Sequence, residues 1–142
     1  MKINEITNED PDSIKIDSLT KAKEWISKIY NQFPTNPIDP RQRAIVWGEG
    51  DNQQFAMFEL APSMSKKDAV EIAWFQAYPR RQGVGSRAMK MLQDLAAKDG
   101  ISLTLFPWDK GQVSRPALIN FYKNSGFIPI KKGSNVLQWE PR

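Results

Sequence analysis

The sequence predicts an α/β sandwich of the α+β kind, with a mixed sheet flanked by helices. Three observations predict it. Short runs such as Ala44-Ile45-Val46-Trp47, Val70 to Phe75 and Ile101 to Phe106 are apolar or alternate with period two, as strands do. Other runs space their apolar residues three and four apart, as helices do: Ala22, Trp25, Ile26 and Ile29, then Ala88, Leu92, Leu95 and Ala96. The two kinds alternate in the order helix, hairpin, strand, helix, strand, helix, strands, which places helices on a mixed sheet.

Composition bounds the chemistry. A chain of 142 residues is expected to form one domain over residues 1–142 and to bury about two thirds of its unfolded surface. It contains no Cys and no His, which excludes His/Cys metal sites and any Ser-His-Asp or Cys-His nucleophile; no metal is expected. No apolar run approaches membrane-spanning length and no signal-peptide core follows Met1, so a cytoplasmic protein is expected, with no membrane partner. The net charge of +4 favours anionic ligands.

The elements follow in order. Residues 1–13 are polar and read as a turn or loose terminus, and Ser13-Ile14-Lys15-Ile16 reads as a short edge strand. Asp17 or Ser18 is then placed to cap a helix to about Gln32, with Ala22, Trp25, Ile26, Ile29 and Phe33 on its apolar face and Glu24 and Lys28 as an i,i+4 pair. Pro34, Pro37 and Pro40 make a stiff loop. A hairpin of Ala44–Trp47 and Gln53–Leu60 comes next, around Gly48 to Asn52. The strand from Val70 is expected to show Val70, Ile72 and Trp74 on one face and Glu71, Ala73 and Phe75 on the other. It feeds Pro79-Arg80-Arg81-Gln82-Gly83-Val84-Gly85-Ser86 and an amphipathic helix that Gly100 ends from the C′ position. A strand over Ile101–Phe106, a loop at Pro107 to Gly111, and a helix capped by Ser114 and carrying Leu118, Phe121 and Tyr122 follow. Two strands, Phe127–Ile130 and Val136–Trp139, close the chain around a Lys131-Lys132-Gly133-Ser134 turn.

A strand, a tight glycine turn and a helix together grip an anion. Gly83 and Gly85 let the backbone take φ > 0 and come close to a ligand. The first helical N–H groups lack intrahelical partners and sit at the positive end of the macrodipole. Arg80, Arg81 and Arg87 add formal charge. The turn is expected at the surface, where substitutions disturb little packing. Gly83 to Ala88 also satisfies the dinucleotide pattern G-x-G-x-x-G/A, with Asp109 as a ribose-binding acid. That reading is demoted: Pro79 to Gln82 intervene between strand and first glycine, and too little chain follows for a second half. A Walker loop is excluded, because no Gly-Lys-Ser/Thr is present.

Arg80-Arg81-Gln82-Gly83-Val84-Gly85 fits the R/Q-x-x-G-x-G/A signature of the GCN5-related N-acetyltransferases (GNAT), and Phe121-Tyr122-Lys123-Asn124-Ser125-Gly126-Phe127 is similar to their FYxxxGF helix end. The resemblance covers roughly residues 44–139. It implies a sheet splayed into a V with acetyl-CoA in the cleft as cosubstrate. Gln82, Gly83, Val84, Gly85 and Ser86 would then cradle the pyrophosphate beside Arg80 and Arg81, while Phe75, Gln76 and Ala77 would hydrogen-bond the pantetheine arm like an added strand. Ser114 stands near the place where many relatives carry an asparagine that contacts CoA. The implied activity is direct acetyl transfer to a primary amine, on a protein lysine or N-terminus or on a small molecule.

Two catalytic residues are expected. Glu71 is either the base that takes the amine's proton, as similar strand positions do in relatives, or a solvent-facing strand charge. Tyr122 read alone is a core aromatic; the resemblance makes it the acid for the leaving thiolate. Trp47, Trp74, Trp108 and Trp139 read as core, so a nucleic-acid partner is not expected. A CoA-binding or basic nucleic-acid-binding module without turnover stays as the alternative class. The acceptor and oligomeric state are not legible; a homodimer is compatible with the sequence.

Overall fold

The computed structural model describes residues 11–79, 82–107 and 114–141. Of the loose terminus expected over residues 1–13, residues 1–10 lie outside the described residues, as do Arg80, Arg81 and the loop with Trp108 and Asp109. Residues 11–13 are helical, which corrects that part of the expectation. The first element is α1 (Pro11–Tyr30). The edge strand read at residues 13–16 is therefore a correction: four alternating residues fit either period, and here they continue a helix. Pro11 is its first described residue, and a proline is tolerated in a first helical turn because its N–H would lack an intrahelical acceptor. The cap read at Asp17 or Ser18 falls inside the helix for the same reason.

The sheet follows: β1 (Arg43–Trp47), β2 (Gln54–Pro62), β3 (Ala69–Tyr78), then α2 (Val84–Lys98) and β4 (Ser102–Leu105). α3 (Arg115–Asn124), β5 (Ile128–Pro129) and β6 (Leu137–Trp139) complete it. The strands form one six-stranded sheet in the order β1-β2-β3-β4-β6-β5. β3 and β4 are parallel; the other neighbours are antiparallel. The architecture is thus the mixed sheet with helices that the element order predicts.

The core is where helical and strand periods meet. Ala22, Trp25 and Ile29 of α1 and Ala88, Met89, Leu92 and Ala96 of α2 are buried with Ala56, Phe58, Leu60, Val70, Ile72, Leu103, Leu105 and Leu137 of the sheet. Each large side chain so buried contributes about 1.5–3 kcal/mol. Ile26 and Phe33 pack against this cluster half-buried. Tyr30, the last residue of α1, ties helix to sheet: Leu60 N–H donates to its Oη at 2.9 Å, and its O–H donates to the Arg41 carbonyl at 2.8 Å. Burial pushes this phenol above its ordinary pKa.

Both long helices converge on Asp99. Its carboxylate accepts from Lys28 Nζ at 2.8 Å and from Trp25 Nε1 at 3.0 Å. The bond from Lys28 holds this carboxyl below the usual range, with that from Trp25 adding to it. Lys28 thus reaches across to α2, a contact its spacing from Glu24 does not announce. α2 ends as expected, with Gly100 at φ +68°, Gly100 N–H on the Ala97 carbonyl and Ile101 N–H on the Ala96 carbonyl. That is the paired bonding of a Schellman end.

Candidate active site

The site is set by an irregularity in β3. Its ladder with β2 runs Leu60↔Ile72 and then Glu59↔Trp74, so Ala73 is an inserted residue. One extra residue reverses the alternation. Phe75 and Ala77, opposite Phe58 and Ala56, therefore face the same way as Ile72 and Val70. Glu71 faces the other way, with Trp74 and Gln76. The single face expected for Glu71, Ala73 and Phe75 is corrected by this bulge.

A fork opens at the same level. β3 and β4 pair only over Ala69↔Ser102, Val70↔Leu103 and Glu71↔Thr104. β4 ends one residue later at Leu105, whereas β3 runs on to Tyr78 along its ladder with β2. The two parallel strands part there, with Glu71 in the last paired position. Thr104 beside it is fully buried and donates to Ser63 Oγ at 2.8 Å. Phe75, Gln76 and Ala77 all lie past the fork.

At the top of β3 the glycine turn leads into α2. Gly83 sits at φ +75° with open space where a Cβ would be, a conformation that favours glycine. The first helical bond runs from Arg87 N–H to the Gly83 carbonyl. The N–H groups of Val84, Gly85 and Ser86 precede it and have no intrahelical acceptor, as at any helix start. Gln82, Gly83 and Ser86 are exposed. Val84, however, is 2% exposed, and a Cβ on Gly85 would stand 3.3 Å from Phe121 Cζ and 3.6 Å from Ala77 Cβ. The expectation of a turn free of packing is thus corrected at these two residues: its inner side is part of the core. The Arg87 guanidinium lies 4.2 Å from the Trp47 ring centroid.

α3 brings the second motif to the first. Ser114 caps it, Oγ accepting from Ala117 N–H at 3.3 Å, and Pro116 stands in the first turn. Its far end explains the spacing of Tyr122, Gly126 and Phe127. Gly126 N–H donates to the Lys123 carbonyl at 2.9 Å and Phe127 N–H to the Tyr122 carbonyl at 3.0 Å, with Gly126 at φ +96°. This is again a Schellman end, whose flanking apolar pair is Tyr122 and Phe127, edge to face at 5.8 Å. Tyr122 is 6% exposed and belongs to the core cluster. Phe121 stacks on Phe75, so α3 and the Phe75 face of β3 are in contact.

Of the residues read from sequence, the structure brings together Phe75, Ala77, Gly85, Phe121 and Tyr122, and sets Glu71 at the fork on the opposite sheet face. Two residues of this site carried no assigned role in the sequence. Phe121 is visible only as half of a motif. Glu59, opposite Trp74 and on the Glu71 face, is the one charge in Gln54–Pro62, a signal that could have marked it. Among the described residues no cluster of His, Cys, Asp or Glu could hold a metal ion, and no described helix is long and apolar enough to cross a membrane.

Solved structures with this architecture include the anti-CRISPR protein AcrVA5, at 22% identity and TM-score 0.52, covering 70% of this chain and 98% of that one. The alignment is to the same fold. AtaTR bound with AcCoA aligns at 18% identity and TM-score 0.46, over 70% of this chain and 68% of that one. The KacTA–DNA complex aligns at 16% and 0.45, over 72% and 69%. Among curated proteins no sequence matches. The family model of the GNAT acetyltransferases matches residues 7–127, which takes in the fork, the glycine turn and the whole of α3. The chain belongs to the acetyltransferase (GNAT) family.

Proposed function

We propose that this chain transfers the acetyl group of acetyl-CoA directly to a primary amine within a ternary complex. The observation that carries the reading is the fork: two parallel strands part at Glu71, and the stretch of β3 beyond it runs to a helix start that leads out of a glycine turn. A pyrophosphate on the N–H groups of Gln82 to Ser86, with Arg80 and Arg81 adding charge, leaves the pantetheine arm to run along Phe75-Gln76-Ala77. The thioester then lies at the fork. Ser114, already accepting as a helix cap, keeps its own proton to donate to the cosubstrate.

The chemistry needs two protons removed from the nitrogen, one before attack and one after, and one supplied to the sulfur. An amine with a pKa of about 10.4 is neutral in only about one molecule in 2,500 at pH 7. Glu71 is the base that takes the ammonium proton, directly or through water. The freed nitrogen lone pair attacks the thioester carbonyl carbon, the C–S bond breaks, and the thiolate takes a proton from Tyr122. The second proton of the nitrogen returns through water to the tyrosinate. The products are an amide and CoA. Glu71 and α3 stand on opposite faces of the sheet, which supports an amine arriving from one side and a thiolate leaving toward the other.

The test is mass spectrometry after incubating the protein with acetyl-CoA and a cell extract. Acetylated amines that appear only with active protein are the expected result. Acetyl-CoA binding without any acetylated product would leave a binding module and overturn the transferase reading.

A further inference from the structure

Phe121 stands where three parts of the site meet. Its ring stacks on Phe75, centroids 6.3 Å apart and planes at 25°, and meets Tyr122 edge-on at 5.1 Å. Its Cζ also occupies the space in front of Gly85, 3.3 Å from where a Cβ would stand, with Ala77 Cβ at 3.6 Å. The first turn of α2 therefore rests on two side chains, Ala77 from β3 and Phe121 from α3. The family signature accepts glycine or alanine at position 85. In this chain an alanine methyl would have to displace a ring that Phe75 backs, by a few tenths of an ångström.

That displacement matters because one ligand must reach two places. The pyrophosphate lies on the turn and the pantetheine arm on Phe75 to Ala77, so the separation of α2 from β3 decides whether both are met at once. We propose that Phe121 is a positioning residue, the spacer that sets the phosphate turn against β3, and that Gly85 is glycine because the ring takes the place of an alanine methyl. The proposal rests on the acetyl-CoA reading above.

The experiment is calorimetric titration of wild type, Gly85→Ala, Phe121→Leu and the double variant with acetyl-CoA and, separately, with ADP. ADP carries the pyrophosphate but no pantetheine, so it meets the turn and not the strand. Gly85→Ala should weaken acetyl-CoA about tenfold, within the range that couplings between touching residues reach, and ADP by less than about twofold. Phe121→Leu alone should weaken acetyl-CoA as well, because the turn loses its support. Combined, the two should restore affinity to within about threefold of wild type, since a leucine leaves room for the methyl. A double variant weaker than either single one would show that Phe121 only fills the core, and would overturn the proposal. Equal losses for acetyl-CoA and ADP in Gly85→Ala would also overturn it, because the turn rather than its spacing would be damaged. A wild type that binds neither ligand would instead overturn the acetyl-CoA reading on which the proposal rests.

Discussion

The two halves of β3 do different work. In the first half Ala69, Val70 and Ile72 are 1%, 0% and 4% exposed, and Val70 and Glu71 pair with strands on both sides. In the second half Trp74 to Ala77 are half-buried, Tyr78 is 58% exposed, and β4 has already ended. One inserted residue, Ala73, separates them. The lesson is that one strand can anchor the core and then, past a single bulge, run on with reset side-chain alternation and one edge released by β4. Neither half needs an unusual residue to do so.

The largest expected effect comes from damaging the first half. Leu103, opposite Val70 and 1% exposed, has no room to relax: Leu103→Ala should lose about 2–5 kcal/mol of stability in urea unfolding. Tyr78→Ala, in the second half, removes a ring stacked on Phe55 at 5.5 Å and should lose only about 1 kcal/mol. Similar losses at both positions would erase the distinction.

Next in size is the chemistry beyond the fork. Tyr122→Phe keeps the ring packed on Phe121 and Phe127 and removes one proton. Turnover should fall about ten- to a thousand-fold with acetyl-CoA affinity nearly unchanged. An unchanged kcat would return Tyr122 to a purely packing role.

Glu71 sits at the boundary, and its effect should depend on pH. Glu71→Gln preserves shape but accepts no proton, so turnover should drop at neutral pH and recover partly as pH rises and the amine arrives neutral. A pH–rate curve matching wild type would make Glu71 structural. A raised KM with kcat intact would make it an acceptor-binding group.

These sites differ in how far the sequence reveals them. The glycine turn and the α3 end are legible because their geometry is local: Gly83 and Gly126 need φ > 0, and Gly126 and Phe127 stand at fixed offsets from Tyr122. The bulge is not legible, since Glu71, Ala73 and Phe75 continue a perfect alternation and nothing in their types marks Ala73 as inserted. Nor is the crowding at Gly85, which comes from Phe121 on a distant helix. The start of α1 is misread for a third reason, that Ser13 to Ile16 is too short to distinguish the two periods.

A smaller effect is expected at the clasp below the first half. The Asp99 carboxyl is held low by Lys28, with Trp25 adding to it, so its folded pKa lies below its unfolded one. The stabilisation is therefore fully present above the unfolded pKa and is lost as pH falls through the folded value. Asp99→Asn should be less stable than wild type at pH 7, and the difference should vanish in strongly acidic solution, as thermal unfolding at both pH values would show. A difference that persists in acid would mean the charge is not its source.

The central claim is that the open half of β3 and the glycine turn bind acetyl-CoA. It is tested most directly by thermal unfolding with acetyl-CoA and, in parallel, with NADH, since the turn also fits the dinucleotide pattern. At a hundred times its Kd, acetyl-CoA should add about 2.7 kcal/mol of stability, and NADH at the same concentration much less. Equal protection by NADH, or none by acetyl-CoA, would contradict the account.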